Sequence, residues 1–213
     1  MSAPGAHDTG RDARVGKVDT KLEVQIIPVS DVDRSKEFYE RLGWRFDGDV
    51  APLHGLRIVQ FTPPGSGTSV TFGLGITTAA PGSAEGGLIV SDIEAAHAEL
   101  AGRDVDVSDI WHGPPYPVEA RMPGVDPERT SYGSFFSFTD PDRNTWLVQE
   151  VTTRLPGRMN TTETGYVTTA DLEGALRRAE AAHRAQAGRT DEDWPAWYAA
   201  YMVAEQAGTD PPA

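Results

Sequence analysis

The side chains best suited to acid–base or metal chemistry in this sequence of 213 residues are its histidines. None of them shares the close spacing of a metal-binding pair on a helix or hairpin. His54 and His112 fall in predicted loops, from which an imidazole could reach a pocket and act as a general base. There is no cysteine, which excludes disulfides, thiolate metal sites and cysteine nucleophiles. The histidines are His7, His54, His97, His112 and His183.

Two pairs of aspartates could in principle act together as acid and base. Asp31 and Asp33 open a predicted helix, whereas Asp140 and Asp142 flank a proline in a predicted turn. Aspartate is favoured at helix N-caps and in turns because its side chain accepts backbone N–H groups, so structural roles are expected for both pairs. The sequence also lacks a nucleophile-elbow motif and a dinucleotide-binding glycine fingerprint.

An internal repeat organises the elements that must position these side chains. The stretch Val29–Trp44 has an echo in Val90–Val107, and each copy begins with Val-Ser-Asp after a short apolar strand. In each copy the aspartate is followed by apolar residues at the i, i+3, i+4, i+7 spacing of an amphipathic helix. Each half therefore reads as a strand, a helix and three further strands, which predicts an α+β fold of two tandem βαβββ modules.

The chain divides into four regions on this reading. Residues 1–20 have the composition of a disordered tail, 21–78 form the first module and 79–157 the second. The second module contains a long, proline-rich loop at 112–133, of a length that usually covers a site. Residues 158–213 form a helical extension, with one helix over 168–187 and a second, aromatic-rich helix starting at Trp194.

Two motifs resemble the vicinal oxygen chelate superfamily, which contains glyoxalase I, extradiol dioxygenases and bleomycin-binding proteins. They are D-V-D-R-S-x-x-F-Y at Asp31–Tyr39 and D-P-D-x-N at Asp140–Asn144. The resemblance covers residues 21–157 and is greatest to a bacterial glyoxalase-like subgroup. It implies an open eight-stranded β-cup with helices outside. In the metal-dependent members, ligands project into the cup from the first, fourth, fifth and eighth strands.

The residues at those ligand positions do not suit a metal. The first-strand position is Val24, the fifth-strand position Glu85 and the last-strand position Leu147, while 69–72 contain no histidine or carboxylate. A lone carboxylate does not hold a divalent cation. We therefore expect no metal and no cofactor.

The residues at these strand positions predict a mostly apolar pocket with few polar anchors, as is usual for a small-molecule site. Phe136 and Phe138, or Phe135 in the other register, would stack on a ligand. The long loop, with Tyr116, Arg121, Arg129 and Tyr132, would close over the ligand and pair with an anionic group. His112 and Glu85 are weak candidates for a catalytic acid or base. The predicted ligand-binding residues are Val24, Ile26, Thr71, Glu85, Leu88, His112, Tyr116, Arg121, Phe136, Leu147 and Gln149.

Three functions stay open at this point. The first is metal-free binding of a small organic molecule, for sequestration or resistance. The second is a lyase, isomerase or dioxygenase of the superfamily, and the third an interaction protein with a degenerate cup, led by the aromatic tail helix. The net charge of −13 argues against nucleic acid or an anionic membrane as partner. We expect a cytoplasmic homodimer with a small-molecule ligand.

Overall fold

The computed structural model describes residues 20–114, 117–154, 165–166, 168–185, 194–207 and Asp210. The predicted N-terminal tail, apart from Thr20, lies outside the described residues. None of the helices in the described ranges is long and apolar enough to cross a bilayer.

The first module has the predicted order, with strand β1 followed by a helix and three strands. Helix α1 (Val32–Arg41) starts at Asp31, whose carboxylate accepts the backbone N–H groups of Asp33 and Arg34. It ends before Gly43, which adopts the left-handed conformation (φ 79°) that favours glycine. The strands pair in the order β1-β4-β3-β2, with β1 parallel to β4. Their bounds are Val24–Ile26 (β1), Arg45–Leu53 (β2), Leu56–Thr62 (β3) and Ser69–Leu74 (β4).

The second module repeats this plan but with four strands after its helix. Helix α2 (Ile93–Gly102) is capped by Asp92 in the same way as α1 is by Asp31. The strands pair in the order β5-β9-β8-β6-β7, and a short 3-10 turn at Val118–Ala120 precedes β7. Their bounds are Glu85–Val90 (β5), Trp111–His112 (β6), Met122–Pro123 (β7), Ser134–Thr139 (β8) and Thr145–Glu150 (β9).

Residues 105–111 read as a strand in the sequence, but the structure forms a strand only at their end. Only Trp111 and His112 form a strand there, and Val107 makes an isolated bridge to Phe138. The physical reason is Ser108, whose hydroxyl accepts the backbone N–H of Ser137 at 2.9 Å and so takes the place of a backbone acceptor. The second module thus keeps the predicted βαβββ order, and the two-residue β7, which pairs with β6, is added to it.

One hydrophobic core joins the helix-facing sides of both sheets. Tyr39 of α1 is fully buried, and its ring lies 5.3 Å from Phe72 in the first sheet and 6.4 Å from Trp146 in the second. Its hydroxyl donates to the Asp140 carboxylate at 3.1 Å and accepts the indole N–H of Trp146 at 3.1 Å. Burial, and then the Asp140 charge, raise the pKa of Tyr39, so the phenol stays protonated as that donor. The two modules are therefore joined through the helix side of each sheet.

The C-terminal extension forms a helical hairpin of α3 (Thr169–Ala185) and α4 (Trp194–Ala207). Ala175 and Ala179 of α3 are fully buried, and so is most of Trp197 of α4. Arg178 of α3 pairs with Glu205 of α4 through two hydrogen bonds of 2.6 and 3.0 Å. The prediction of two helices is confirmed, and they pack mainly on each other.

Candidate ligand-binding faces

The first candidate surface, which we call face A, is the side of the first sheet turned away from α1. The strand registers place Val24 beside Ser69, Ile26 beside Thr71 and Thr71 beside Gln60, so these side chains share one face. The apolar residues on its edge strand are half-exposed, at 37% for Val24 and 46% for Ile26. The first strand therefore leaves apolar side chains partly open to solvent at the edge of face A in the single chain. Face A comprises Val24, Ile26, Ile58, Gln60, Thr62, Ser69 and Thr71.

A hydrogen-bonded ladder of polar side chains crosses face A. Thr62 is its centre: its hydroxyl accepts from the Arg45 guanidinium at 3.2 Å, donates to the Asp47 carboxylate at 2.5 Å, and is shared with Ser69 at 2.8 Å. Burial raises the pKa of Asp47, but the bonds from Thr62 and Arg45 outweigh it and hold that pKa below its usual value. A carboxylate of this kind is a poor proton acceptor, so the ladder orients groups rather than supplying a base.

The second candidate surface, face B, is the corresponding side of the second sheet. In the register, Ile89 lies beside Gln149, Gln149 beside Phe135, and Phe135 beside Trp111, which gives one continuous row across four strands. Ile89 is 43% exposed at the edge of this row. Face B comprises Glu85, Ile89, Trp111, Phe135, Ser137, Leu147 and Gln149.

An aromatic stack with a cation on it is the most distinctive feature of face B. The rings of Trp111 and Phe135 are nearly parallel, with centroids 4.5 Å apart, and the Arg121 guanidinium lies 4.1 Å from the centre of the Trp111 ring. Both rings are buried, and among the described residues the indole N–H of Trp111 has no hydrogen-bond partner. The stack therefore gives aromatic and cationic character to the β6 end of face B.

The loop before β8 is held by the end of β9 in an unusual conformation. Arg129 (φ 51°) and Tyr132 (φ 72°) both adopt the left-handed region that non-glycine residues rarely occupy. Arg129 bonds to the fully buried Glu150 at 2.7 Å, and the Tyr132 carbonyl accepts from the Gln149 side chain at 2.9 Å. Strained residues held by such bonds often mark functional sites, and here they place Tyr132 beside face B.

Many of the residues predicted to bind a ligand lie on these two faces. Val24, Ile26 and Thr71 are together on face A. Glu85, Leu147 and Gln149 are on face B, and Arg121 adjoins it.

The other predicted ligand-binding residues do not lie on these faces. Leu88 and Phe136 pair with Val148 on the core side of the second sheet, and Phe136 is fully buried against His97. His112 lies on the opposite side of the sheet from Trp111, and its Nδ1 is 3.0 Å from the Gly124 carbonyl oxygen. Tyr116 is outside the described residues.

The sequence prediction missed Trp111 and Ile89 on face B, and Gln60 and Thr62 on face A. Phe135 was the alternative to Phe136 and Phe138 in the prediction, and its pairing with Gln149 puts it on face B.

The metal implied by the superfamily does not fit the residues present. Val24 and Leu147 occupy ligand positions on the two faces but offer no lone pair, and Glu85 pairs with Thr145 at the far end of face B. Within the described residues, no group of three or more histidine, aspartate or glutamate side chains is placed to hold a metal ion. Hard divalent cations need several such oxygen or nitrogen donors.

The comparison with known protein families places the N-terminal part of the chain. Residues 25–49, which span β1, α1 and the start of β2, match the family model of the bleomycin resistance protein-like N-terminal region. No curated protein sequence matches the chain significantly.

Several solved structures are also similar to this chain. A glyoxalase/bleomycin resistance protein from Streptomyces sp. CB03234 is 30% identical, over 61% of this chain and 100% of that one, with a TM-score of 0.46. TnmS3, an antibiotic-binding protein from the same organism, is 28% identical, over 64% of this chain and 99% of its own, with a TM-score of 0.48. A member of the glyoxalase/bleomycin resistance protein/dioxygenase superfamily from Sphaerobacter thermophilus DSM 20745 is 26% identical over 62% of this chain and 98% of its own, with a TM-score of 0.46.

The fold thus defines an α+β protein of paired βαβββ modules with a helical extension. The family-model match, and identity along the whole length of a bleomycin-resistance relative, agree with the Asp31–Tyr39 and Asp140–Asn144 motifs. The chain belongs to the vicinal oxygen chelate superfamily, as its sequence motifs predicted.

Proposed function

We propose that this protein binds a small, apolar or aromatic organic molecule without a metal, in a pocket formed between face A of one chain and face B of a second copy. The observation that carries the proposal is the exposed apolar edge of each face, with Ile26 at 46% exposed and Ile89 at 43%. Contiguous exposed apolar surface rimmed by polar groups marks an interface or a ligand site.

The chemistry of the two faces is complementary for such a ligand. Face B offers the Trp111–Phe135 stack and the Arg121 guanidinium, while face A offers apolar edge residues and amide and hydroxyl groups from Gln60 and Thr71. Pockets for small organic molecules are mostly apolar with a few fixed polar anchors, and this combination meets that description.

A second copy is needed to close the pocket. Both faces are turned away from the shared core, so one chain does not bring them together in the described residues. A two-fold dimer would place face A of each chain against face B of the other, and would thereby close two equivalent pockets. The homodimer expected from the sequence is thus part of this proposal, and the cytoplasmic location expected from the cysteine-free composition stays a prediction.

Metal-dependent lyase, isomerase or dioxygenase activity is not proposed, because the donor groups for the metal do not fit. Elemental analysis of protein purified without chelators, before and after incubation with nickel, zinc, iron and manganese, checks this part. Stoichiometric metal in either sample would contradict the metal-free proposal.

A complementation experiment tests the shared pocket with the neutral fluorescent probe N-phenyl-1-naphthylamine. Ile26→Asp on face A and Ile89→Asp on face B should each weaken binding at least about tenfold, since each places a carboxylate against an apolar ligand. When the two variants are refolded together, each mixed dimer should have one pocket with both faces intact and one with both faces altered. Tight binding should therefore return at up to about half of the pockets in mixed dimers.

The control is Leu74→Asp, which changes a similarly apolar and exposed residue (51%) on the opposite side of the first sheet from face A. Its probe affinity should match the wild type. If co-refolding restores no tight site, the pocket does not lie between chains. If neither face variant weakens binding, the faces are not the site. A thermal-shift screen of aromatic metabolites and antibiotics that finds no stabilising compound would count against the ligand class.

A further inference from the structure

The C-terminal hairpin contains a groove that the proposed pocket does not use. The groove has a volume of about 380 Å³, within the range of sites for small organic molecules. It opens between α3 and α4, and none of its described lining residues carries a charged side chain. The lining residues are Tyr166, Leu172, Leu176, Trp194, Pro195, Tyr198, Ala199, Met202 and Val203.

The aromatic rings give the groove its chemical character. Trp194 and Tyr198 lie one turn apart on α4, with ring centroids 5.1 Å apart and planes at 71°. Trp194 is 48% exposed, so part of its ring is accessible from solvent. Ring faces carry negative partial charge and attract organic cations, and tryptophan does so best.

Carboxylates near the groove also favour the binding of a cation. Burial raises the pKa of Tyr166 in the lining, and the charges of Glu205 and Asp171 raise it further, while that of Arg178 acts against them. The Arg178 guanidinium bonds to both Glu205 oxygens. The negative potential therefore prevails at Tyr166, in a chain whose formal net charge is −13.

These observations favour a small cation over a macromolecule as the occupant. A second copy of this chain carries the same net charge and gains no opposite charge at a groove lined by uncharged residues. An organic cation, by contrast, meets ring faces, apolar side chains and an acidic surrounding at once. Quaternary ammonium groups are bound in this way by aromatic cages.

We propose that the groove between α3 and α4 binds an apolar or aromatic organic cation of the quaternary ammonium or phosphonium class. This site is separate from faces A and B, and it does not depend on the function proposed for them.

The test compares tetraphenylphosphonium with tetraphenylborate, two ions of similar shape and opposite charge, by calorimetric titration of the full chain. Tetraphenylphosphonium should bind the wild type at least about tenfold more tightly than tetraphenylborate. Trp194→Leu, which keeps an apolar side chain but removes the ring, should weaken phosphonium binding about fivefold, whereas Trp194→Tyr should restore most of it. Helix content by circular dichroism checks that α4 is retained.

Ile26→Asp on face A is the matched control, because it should disable the proposed shared pocket and leave phosphonium affinity unchanged. Equal or tighter binding of tetraphenylborate by the wild type would overturn the proposal, and that measurement needs no variant. A loss of phosphonium binding in Ile26→Asp would place the cation on face A instead. A Trp194→Tyr variant as weak as Trp194→Leu would show that the ring face is not the binding group.

Discussion

The two modules of this chain share one frame but carry different surfaces. In both, an aspartate caps the helix, and the first strand pairs in parallel with the last. Face A nevertheless carries a polar ladder centred on Thr62, whereas face B carries an aromatic stack of Trp111 and Phe135. The comparison shows that the repeat preserves what positions the sheets, while the residues turned away from the core have diverged toward different chemistry.

The largest effect is expected where the two modules are joined, at Asp140. This buried carboxylate accepts from the Tyr39 hydroxyl, the Asn144 amide and the backbone N–H groups of Asp142 and Asn144. Asp140→Ala should lower the free energy of unfolding by about 3 kcal/mol or more, since several buried donors lose their acceptor. Urea denaturation measures it.

The exposed Asp106 is the control for this prediction, and Asp106→Ala should change the free energy of unfolding by less than about 0.5 kcal/mol. If Asp140→Ala unfolded no more readily than this control, the hydrogen bonds between modules would not be what holds them together. The two modules, with faces A and B, would then have to be treated as units that unfold independently.

A smaller effect separates the two faces. Trp111 on face B is 6% exposed, so Trp111→Ala should cost about 3 kcal/mol of stability. Ile26 on face A is 46% exposed, so Ile26→Ala should cost less than about 1 kcal/mol. Thermal unfolding of both variants compares them. Equal losses would mean that face A is already covered in the isolated protein, for example by dimerisation.

Sequence alone could predict the frame because its signals are local. Asp31 and the matching Asp92 act through their own side chains, and each caps the helix that follows it, as the repeat predicted. The side-chain composition of face B could not be predicted in the same way, because Phe135 and Phe136 are both aromatic and a shift of one residue reverses their faces. Only pairing with Gln149, distant in sequence, assigns Phe135 to the open side.

The ladder on face A offers a matched pair of nearly isosteric substitutions. Thr62→Val removes a buried hydroxyl that contacts Arg45, Asp47 and Ser69, and should cost about 1–2 kcal/mol. Thr71→Val removes a hydroxyl with one longer bond of 3.3 Å to Gln60, and should cost less than half as much. Chemical denaturation tests the order. A larger cost at Thr71 would show that the ladder is not centred on Thr62.

The smallest effect concerns the helix caps, where the two modules are most alike. Asp31 and Asp92 each accept two backbone N–H groups, so removal of either should cost about 1 kcal/mol. The first turn of α2 has a further acceptor, because the Ile93 N–H bonds to the buried Glu150 at 3.2 Å. Asp92→Ala should therefore cost less than Asp31→Ala. Urea denaturation of the two variants, with Asp→Asn at each position as the cap-preserving control, measures the difference. A larger loss of stability in Asp92→Ala than in Asp31→Ala would contradict this prediction. It would mean that the Glu150 bond to the Ile93 N–H does not compensate for the lost cap.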